Sequence, residues 1–374
     1  MTPARWSFLV YTQHVLRILA LALLAAVPAS AGFQKASIYL PENLPAKPTG
    51  FERAYGATIG LSIPNDGRIC TGTPVSSDGY LLTNLHCVLH CLEDKGWFKD
   101  GRATLEQGEN YKIVRIAATA RKPKDTVCEN LVWDEGDVYA ANGRVVLLGS
   151  AKANFSEEKV GELPETVVEA VYANMHDFAL LKYELPAPAA CIPAAPASPS
   201  AGAEVWGIGY PSFTMRYDGF DSSGYKKHIA YGRVRGAIRE DPYLQGLVAG
   251  DIPWRRLDRV YSQPDLLMSD LDTMGGNSGG PLLDSSGRLV GLTWGIVASS
   301  SEKHLKATAL GLRVEALRRD IGAALGEARV KQVFACPQEA AAAAPARAAF
   351  SVPSVLNGAG PLPHRIDFDG GRRP

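Results

Sequence analysis

The chain has 374 residues and a formal net charge of zero, because 39 basic side chains balance 39 acidic ones. The two signs are interspersed and form no basic stripe, which argues against nucleic acid as a partner. Without the N-terminal segment described next, about 340 residues remain, a length that fits two packed subdomains and a tail better than one core.

Residues 1–31 have the pattern of a secretory signal peptide. Arg5 and Arg17 flank an early basic region, residues 18–27 are nearly all apolar, and residues 29–31 (Ala-Ser-Ala) form a small-residue cleavage site. The apolar run is too short to span a bilayer comfortably, although a retained anchor is the alternative. We therefore expect a secreted or periplasmic protein with no stable membrane insertion after cleavage.

Six cysteines follow this segment. An even number in an exported chain predicts disulfides, but the spacing alone does not give their connectivity. The cysteines are Cys70, Cys87, Cys91, Cys128, Cys191 and Cys336.

Beyond a proline-containing lead-in at residues 32–54, the composition becomes apolar and predicts the start of a packed region. Four runs in its first half are typical of strands, at residues 79–83, 112–117, 144–148 and 178–183. Two charged, glycine-rich stretches separate them, at residues 93–109 and 121–143. We interpret these stretches as surface-loop insertions.

A histidine follows the first of these strands, in Thr-Asn-Leu-His-Cys at residues 83–87. Imidazole can act as a general base near neutral pH, but His86 alone is more often a packed residue. Residues 86–91 also contain His90 and two cysteines, so a zinc site is an alternative. Oxidation of exported thiols and the lack of an evident second ligand set argue against it, and His90 is predicted to lie on a loop or helix surface.

An aspartate precedes the last of these strands, in His-Asp-Phe-Ala-Leu-Leu-Lys at residues 176–182. Asp177 alone would more often be a turn or cap residue. His176 either lines a functional crevice or is only the sequence neighbour of Asp177.

A Pro/Ala-rich crossover at residues 186–199 leads into a second packed region at residues 203–311, in which residues 218–227 and 244–259 are predicted long loops. Apolar residues then recur at helical spacing from residue 313 to 325, and Gly326 is a predicted stop. The Ala/Pro-rich stretch from residue 337 has low complexity.

The most informative segment is Gly-Gly-Asn-Ser-Gly-Gly-Pro at residues 275–281. Glycines on both sides can leave the hydroxyl of Ser278 open and the surrounding N–H groups free to face a substrate oxygen. Acyl transfer needs this combination of a nucleophile and donors for a developing oxyanion.

The order His86, Asp177, Ser278 resembles that of the chymotrypsin-like serine proteases, particularly their bacterial trypsin-like members. Further similar passages are the strand-turn-strand at residues 70–82, the strand at 207–211, and the hairpin at 282–290 returning through 291–295. The resemblance covers residues 55–325.

The resemblance implies an all-β fold of two antiparallel six-stranded β-barrels with a C-terminal helix. The expected organisation is a signal peptide at 1–31, a lead-in at 32–54, an N-terminal barrel at 55–190, a C-terminal barrel at 191–312, a helix at 313–336 and a low-complexity tail at 337–374. It also implies a Cys70–Cys87 disulfide, and the pairs Cys91–Cys128 and Cys191–Cys336 would complete the set.

The same resemblance implies a serine endopeptidase that needs no cofactor, holds no metal, acts on polypeptides and is a monomer. Ser278 would attack the peptide carbonyl, His86 would take its proton, and Asp177 would orient the imidazole. The N–H groups of Gly276 and Ser278 would bind the oxyanion. The alternative is a catalytically inactive binding or scaffold protein with the same fold.

Substrate-binding residues follow from the resemblance with alternatives left open. Asp272 would form the floor of a pocket selecting Arg or Lys, or it is a solvated loop residue, since Met274 replaces a cysteine common in the family. Thr293, Trp294 and Gly295 would offer backbone hydrogen bonds to an extended peptide, although Trp294 could be a core aromatic. Asn277 carries no charge, so we expect no ion pair with a new N-terminus.

Overall fold

The computed structural model describes residues 38–39, 44, 47–62, 69–117, 126–134, 137–155, 162–185, 188–211, 226–236, 259, 263–273, 275–297 and 308–337. The predicted signal peptide, most of the two predicted long loops of the second region, Met274 and the tail beyond residue 337 lie outside these residues. Within the described part, none of the helices is both long and apolar enough to cross a membrane.

Most regular structure in these residues is β-strand. The strands are β1 (Ile38–Tyr39), β2 (Ile59–Ser62), β3 (Ile69–Pro74), β4 (Tyr80–Thr83), β5 (Ala103–Gln107), β6 (Tyr111–Ile116), β7 (Val127–Asp134), β8 (Asp137–Leu148), β9 (Ala151–Phe155), β10 (Ala179–Lys182), β11 (Glu204–Gly209), β12 (His228–Arg233), β13 (Leu266–Ser269), β14 (Pro281–Leu283), β15 (Leu289–Val297) and β16 (Thr308–Arg313). The helices are α1 (Phe51–Ala57), α2 (Leu89–Asp94), α3 (Glu165–Asn174), α4 (Val314–Leu325) and α5 (Glu327–Val333), with a 3₁₀ turn at Leu85–Val88.

Six strands close the first barrel in the order β10-β4-β3-β2-β7-β8, and every pair is antiparallel. The β3–β4 turn depends on Gly79, whose φ of 98° suits glycine and whose Cβ would lie 2.4 Å from the Tyr183 carbonyl oxygen. The predicted disulfides Cys70–Cys87 and Cys91–Cys128 are both present, and all four cysteines belong to the apolar cluster of this barrel.

The prediction for residues 121–143 as a surface-loop insertion was wrong. This stretch contains β7 and the first half of β8, which are two of the six barrel strands. The predicted strand at 112–117 exists as β6, but it lies outside the barrel in a three-stranded sheet of order β5-β6-β9. Strand β5 falls within the other predicted loop, residues 93–109, so that stretch also has regular structure.

The second region forms one antiparallel sheet of seven strands in the order β1-β12-β11-β14-β15-β16-β13. Strand β13 at one end of the sheet approaches the chain just after β12, where Val234 and Ser269 form an isolated antiparallel bridge and the Arg235 N–H donates to the Met268 carbonyl at 2.8 Å. The sheet is therefore barrel-like. It differs from the predicted six-stranded barrel because β1 adds a seventh strand and the closure is a single bridge rather than a ladder.

Helix α4 follows the sheet as predicted, with Val314, Leu317 and Ile321 fully buried along one face. Gly326 ends it with a φ of 86°, and its N–H donates to the Gly322 carbonyl at 2.8 Å. The chain continues as the short helix α5, so the predicted single helix is a pair. Beyond α5, the predicted disulfide to Cys191 ties this end of the chain to the crossover.

Candidate active site

His86 and Asp177 meet because their strands pair. Strand β4 ends three residues before His86, and β10 begins two residues after Asp177, with Thr83 opposite Ala179 in the antiparallel register. His86 Nδ1 lies 2.7 Å from Asp177 Oδ2, and the His86 main-chain N–H donates to Asp177 Oδ1 at 3.1 Å. Both carboxylate oxygens therefore face the same histidine.

The Asp177 carboxyl is fully buried and its main chain is fixed on both sides. Asn84 Nδ2 donates to the Asp177 carbonyl at 2.6 Å, and the Phe178 N–H donates to the His176 carbonyl at 3.0 Å. Burial raises the pKa of this carboxyl, but the charge and hydrogen bonds of His86 and the more distant cation Lys152 outweigh burial and leave the pKa below its ordinary value. An ionised carboxylate accepts the proton of Nδ1, which leaves Nε2 of a neutral ring as the acceptor.

Ser278 lies in a tight glycine loop before β14. Gly276 and Gly279 have φ values of 96° and 84°, which glycine adopts without strain. The loop is tied to β15 by two hydrogen bonds, from the Gly279 N–H to the Thr293 carbonyl at 2.7 Å and from the Thr293 N–H to the Gly280 carbonyl at 2.9 Å.

The first barrel holds the other side of this loop. On β3, the Thr71 N–H donates to the Ser278 carbonyl and Thr71 Oγ1 to the Gly276 carbonyl, both at 2.8 Å. Thr73 Oγ1 donates to the Gly279 carbonyl at 2.8 Å. Among the described residues, no acceptor faces the N–H groups of Gly276 or Ser278, so the arrangement leaves these two donors for a ligand.

The segment after His86 also packs on this loop. Cys87 Sγ lies 3.9 Å from the Ser278 carbonyl oxygen. This sulfur belongs to the Cys70 disulfide and carries no proton, so the contact is packing rather than a hydrogen bond. The structure thus brings His86 and Asp177 into direct contact and sets the Ser278 loop against the residue that follows His86.

Beside Ser278, one edge of β15 is left for an added strand. Strand β14 pairs with β15 only as far as Leu292, and past Thr293 the described residues give β15 a partner only in β16. The register shifts between Thr293 and Gly295, and Trp294 between them is buried. The Thr293 N–H is already used by Gly280, so its carbonyl, with a second lone pair, and Gly295 are the groups left for an extended peptide.

Asp272 lines a small cleft that it shares with Thr273, Asn277, Thr293 and His228. The side chain of Asp272 is neither fully buried nor fully exposed. The structure therefore gathers Asp272 and Thr293 at one cleft next to the Ser278 loop. Asn277 Oδ1 is buried there without a hydrogen-bond partner among the described residues.

The two cysteines that the zinc alternative needs as thiolate ligands are oxidised. Cys87 and Cys91 are both in disulfides, and His90 Nε2 lies 3.1 Å from the Glu129 carbonyl oxygen and 3.1 Å from the bonded Cys91 sulfur. A disulfide sulfur does not offer the negative charge with which cysteine binds zinc. His90 is partly exposed on α2, as predicted.

Sequence reasoning missed the environment of His176. Its ring does not line the cleft; it is 4% exposed, with Asp320 and Asp265 at its two nitrogens. These partners lie 144 and 89 residues further along the chain. The only local signal was the position next to Asp177.

The family model of the trypsin-like peptidase domain matches residues 70–292, which is more than half of the chain. No curated protein matches the sequence closely enough to count as a relative.

Among solved structures, similar ones include the Rv3671c protease from M. tuberculosis in its active form, at 17% identity over 78% of this chain and 91% of that chain, with a TM-score of 0.38. A serine endoprotease from Yersinia pestis is 16% identical over 74% of this chain and 65% of that chain, with a TM-score of 0.36. The MamO protease domain from Magnetospirillum magneticum is 16% identical over 72% and 98%, with a TM-score of 0.37.

Proposed function

The chain belongs to the trypsin-like peptidase family, and on that premise we propose that it is an exported serine endopeptidase that cleaves peptide bonds through an acyl-enzyme. The observation that carries the proposal is the 2.7 Å contact between His86 Nδ1 and the buried carboxylate of Asp177. A binding protein has no physical need for a fully buried aspartate directed at a partly exposed histidine.

In the proposed first step, the Ser278 hydroxyl attacks the peptide carbonyl while His86 Nε2 takes its proton. Asp177 keeps the Nδ1 proton in place and stabilises the imidazolium that forms. The imidazolium then gives its proton to the leaving amine, and water repeats the sequence to release the acyl group. Each transfer needs a base that titrates near neutral pH.

The oxyanion of each tetrahedral intermediate would bind the N–H groups of Gly276 and Ser278. The hydrogen bonds from Thr71 and Thr73 support this assignment, because they turn the loop carbonyls toward β3 and leave these two N–H groups without an acceptor in the described residues. Losing one such donor typically costs ~2.7–4 kcal/mol of transition-state stabilisation. The chemistry requires no cofactor.

The proposed substrates are polypeptides that add a strand to the free edge of β15. Asp272 would select Arg or Lys through a charge-assisted pair in the cleft that it lines with Thr293. Profiling with a peptide library should show this preference in the wild type and lose it in Asp272→Ser. A preference that survives the substitution would show that the pocket assignment is wrong.

Export is supported by the three disulfides, since such bonds persist in oxidising compartments. We propose a secreted or periplasmic location, removal of residues 1–31, no membrane insertion afterwards and a monomeric enzyme. N-terminal sequencing of the mature protein and its sedimentation would test these points.

A fluorophosphonate probe tests the function itself, because it reacts with an activated serine. Labelling and casein cleavage should both occur in the wild type and vanish in Ser278→Ala. The matched control is Ser286→Ala, which removes another serine from the exposed turn between β14 and β15 and should label normally. A folded wild type that neither labels nor cleaves would support the scaffold alternative.

A further inference from the structure

The histidine beside Asp177 is unused by the proposed reaction, yet its surroundings are specific. His176 is 4% exposed; its Nδ1 lies 2.5 Å from Asp320 Oδ2 and its Nε2 lies 3.0 Å from Asp265 Oδ2. An ionised carboxylate only accepts hydrogen bonds, and a neutral imidazole has one N–H. Between two ionised carboxylates a neutral ring would leave a nitrogen lone pair facing an oxygen lone pair, so this geometry fits an imidazolium that donates to both.

The balance of charge leads to the same conclusion. Arg319 donates to both oxygens of Asp265 at 2.8 Å, and its guanidinium lies 3.5 Å from Asp320 Oδ1. In the described residues, the charged side chains that contact the His176 ring are Asp265 and Asp320, and Arg319 pairs with both of them. Two carboxylates, a guanidinium and an imidazolium sum to zero, whereas a neutral ring beside two ionised carboxylates leaves an uncompensated negative charge in a largely buried place.

The four side chains link two halves of the described molecule. The first half contains the first barrel and α3, and the second half contains the seven-stranded sheet and α4. His176 lies between α3 and β10 and belongs to the first half, whereas Asp265 directly precedes β13 and Asp320 lies on α4. The His176 ring therefore contacts the second half from the first, and its two ion pairs hold the residue just before Asp177 against the second half.

A displacement of His176 would be passed on to Asp177 through a short, stiff segment. The hydrogen bond from the Phe178 N–H to the His176 carbonyl closes a three-residue turn centred on Asp177. Gly149 backs this turn: its N–H donates to the Phe178 carbonyl at 2.7 Å, and a Cβ there would lie 1.8 Å from the His176 carbonyl oxygen. A movement of His176 would therefore also shift the main chain of Asp177.

We propose that His176, held as an imidazolium between Asp265 and Asp320, is a positioning residue that fixes the turn carrying Asp177 and so the orientation of His86. The inference rests on the proposed function only in its effect on rate, because the protonation of the ring and the clamp across the interface can be measured without catalysis.

The first experiment is a direct measurement on the full mature chain. Nitrogen NMR of ¹⁵N-histidine-labelled protein at neutral pH, assigned with His176→Gln, should show protons on both ring nitrogens of His176. A ring with one unprotonated nitrogen overturns the proposal whatever the enzyme's activity. This measurement uses the wild-type fold, so it does not depend on whether a variant folds.

The second experiment changes the net charge of the cluster by substitution and measures kcat. His176→Gln removes the cation and leaves a net negative cluster, which should lower kcat by roughly 10- to 100-fold, the scale of small misplacements of catalytic groups, with KM changed less than about twofold. Adding Asp320→Asn restores neutrality and should recover about tenfold of the loss. If the wild-type ring were neutral, Gln would be isoelectric with it and the second change would bring no recovery, which overturns the charge argument.

Glu315→Gln is the matched control on the same helix. The Glu315 carboxylate accepts hydrogen bonds from the main chain and hydroxyl of Ser198 in the crossover, and it does not reach His176. This variant should lower the melting temperature but leave kcat unchanged. An equal loss of kcat would mean that any loosening of α4 slows the enzyme, and the positioning role would be rejected. A wild type that fails to label with fluorophosphonate would refute the proposed function and leave the NMR result standing.

Discussion

Replacing Asp177 by Asn gives the sharpest test of the candidate site, because it changes one atom of a buried side chain. His86 places two donors on the carboxylate, with Nδ1 at 2.7 Å from one oxygen and the main-chain N–H at 3.1 Å from the other. An amide offers one acceptor and one donor. If its oxygen stays on the His86 N–H, its NH₂ group faces Nδ1 and makes that nitrogen the acceptor.

The imidazole proton then moves to Nε2, the atom that has to receive the proton of Ser278. Rotating the amide does not help, since it sets an NH₂ group against the His86 main-chain N–H. For a wrong tautomer in such a triad the expected loss in kcat is about 10⁴-fold. This corresponds to ~5.4 kcal/mol of transition-state stabilisation, because each factor of ten is about 1.36 kcal/mol.

The assay is kcat and KM on a fluorogenic peptide, with the rate of fluorophosphonate labelling as an independent measure of nucleophile activation. The control is Asp284→Asn in the turn between β14 and β15, where the carboxylate accepts from Ser286 and Arg288. The control should change stability without changing kcat. A folded Asp177→Asn enzyme within about tenfold of the wild-type kcat would refute the assignment of Asp177.

Three further outcomes are expected. Cys191→Ser with Cys336→Ser opens a loop of 145 residues and should lower the free energy of unfolding by ~5 kcal/mol in urea titrations; a loss below about 1 kcal/mol would contradict the loop-entropy estimate. Hydrogen bonds from Arg319 are the main cause of the lowered pKa of Asp265, so this carboxylate stabilises the fold above its unfolded pKa of about 3.9 and the contribution is lost as pH falls through the folded pKa. Arg319→Gln should therefore raise the pH midpoint of acid unfolding. An unchanged midpoint would show that the Arg319–Asp265 pair does not contribute to stability. Gly279→Ala should cost at least ~1–3 kcal/mol of stability from its φ of 84° alone, and because the added Cβ would lie 2.3 Å from oxygens of two first-barrel threonines, labelling of the serine should fall with it.

The elements nearest the candidate site were the most predictable from sequence, because their residue types have narrow roles. The His86 and Asp177 motifs flank paired strands, so their side chains meet as predicted. All three predicted disulfides are confirmed. The first pairing came from the family resemblance, and the remaining two were the set that completed it.

Strand β7 and the first half of β8 were missed, and on β7 the cause is that one of the inward residues is polar. On β7, Cys128 and Asn130 are buried while Val127 and Glu129 alternate outward, so the period of two is present, but each face carries one apolar and one polar residue. Asn130 is buried because its Oδ1 accepts from the Tyr183 hydroxyl and the Gly143 N–H. These partners lie on other parts of the barrel, so local composition could not identify Asn130 as a core residue.

The two halves of the molecule position each other's candidate catalytic groups. The loop of Ser278 belongs to the second half, but its carbonyls are held by Thr71 and Thr73 of the first barrel. The turn of Asp177 belongs to the first half, but the residue before it is held by carboxylates of the second. Because each half holds the other's contribution, loosening of the interface would misplace Ser278 and Asp177 together. Activity should therefore depend on the docking of the halves more steeply than on the stability of either one.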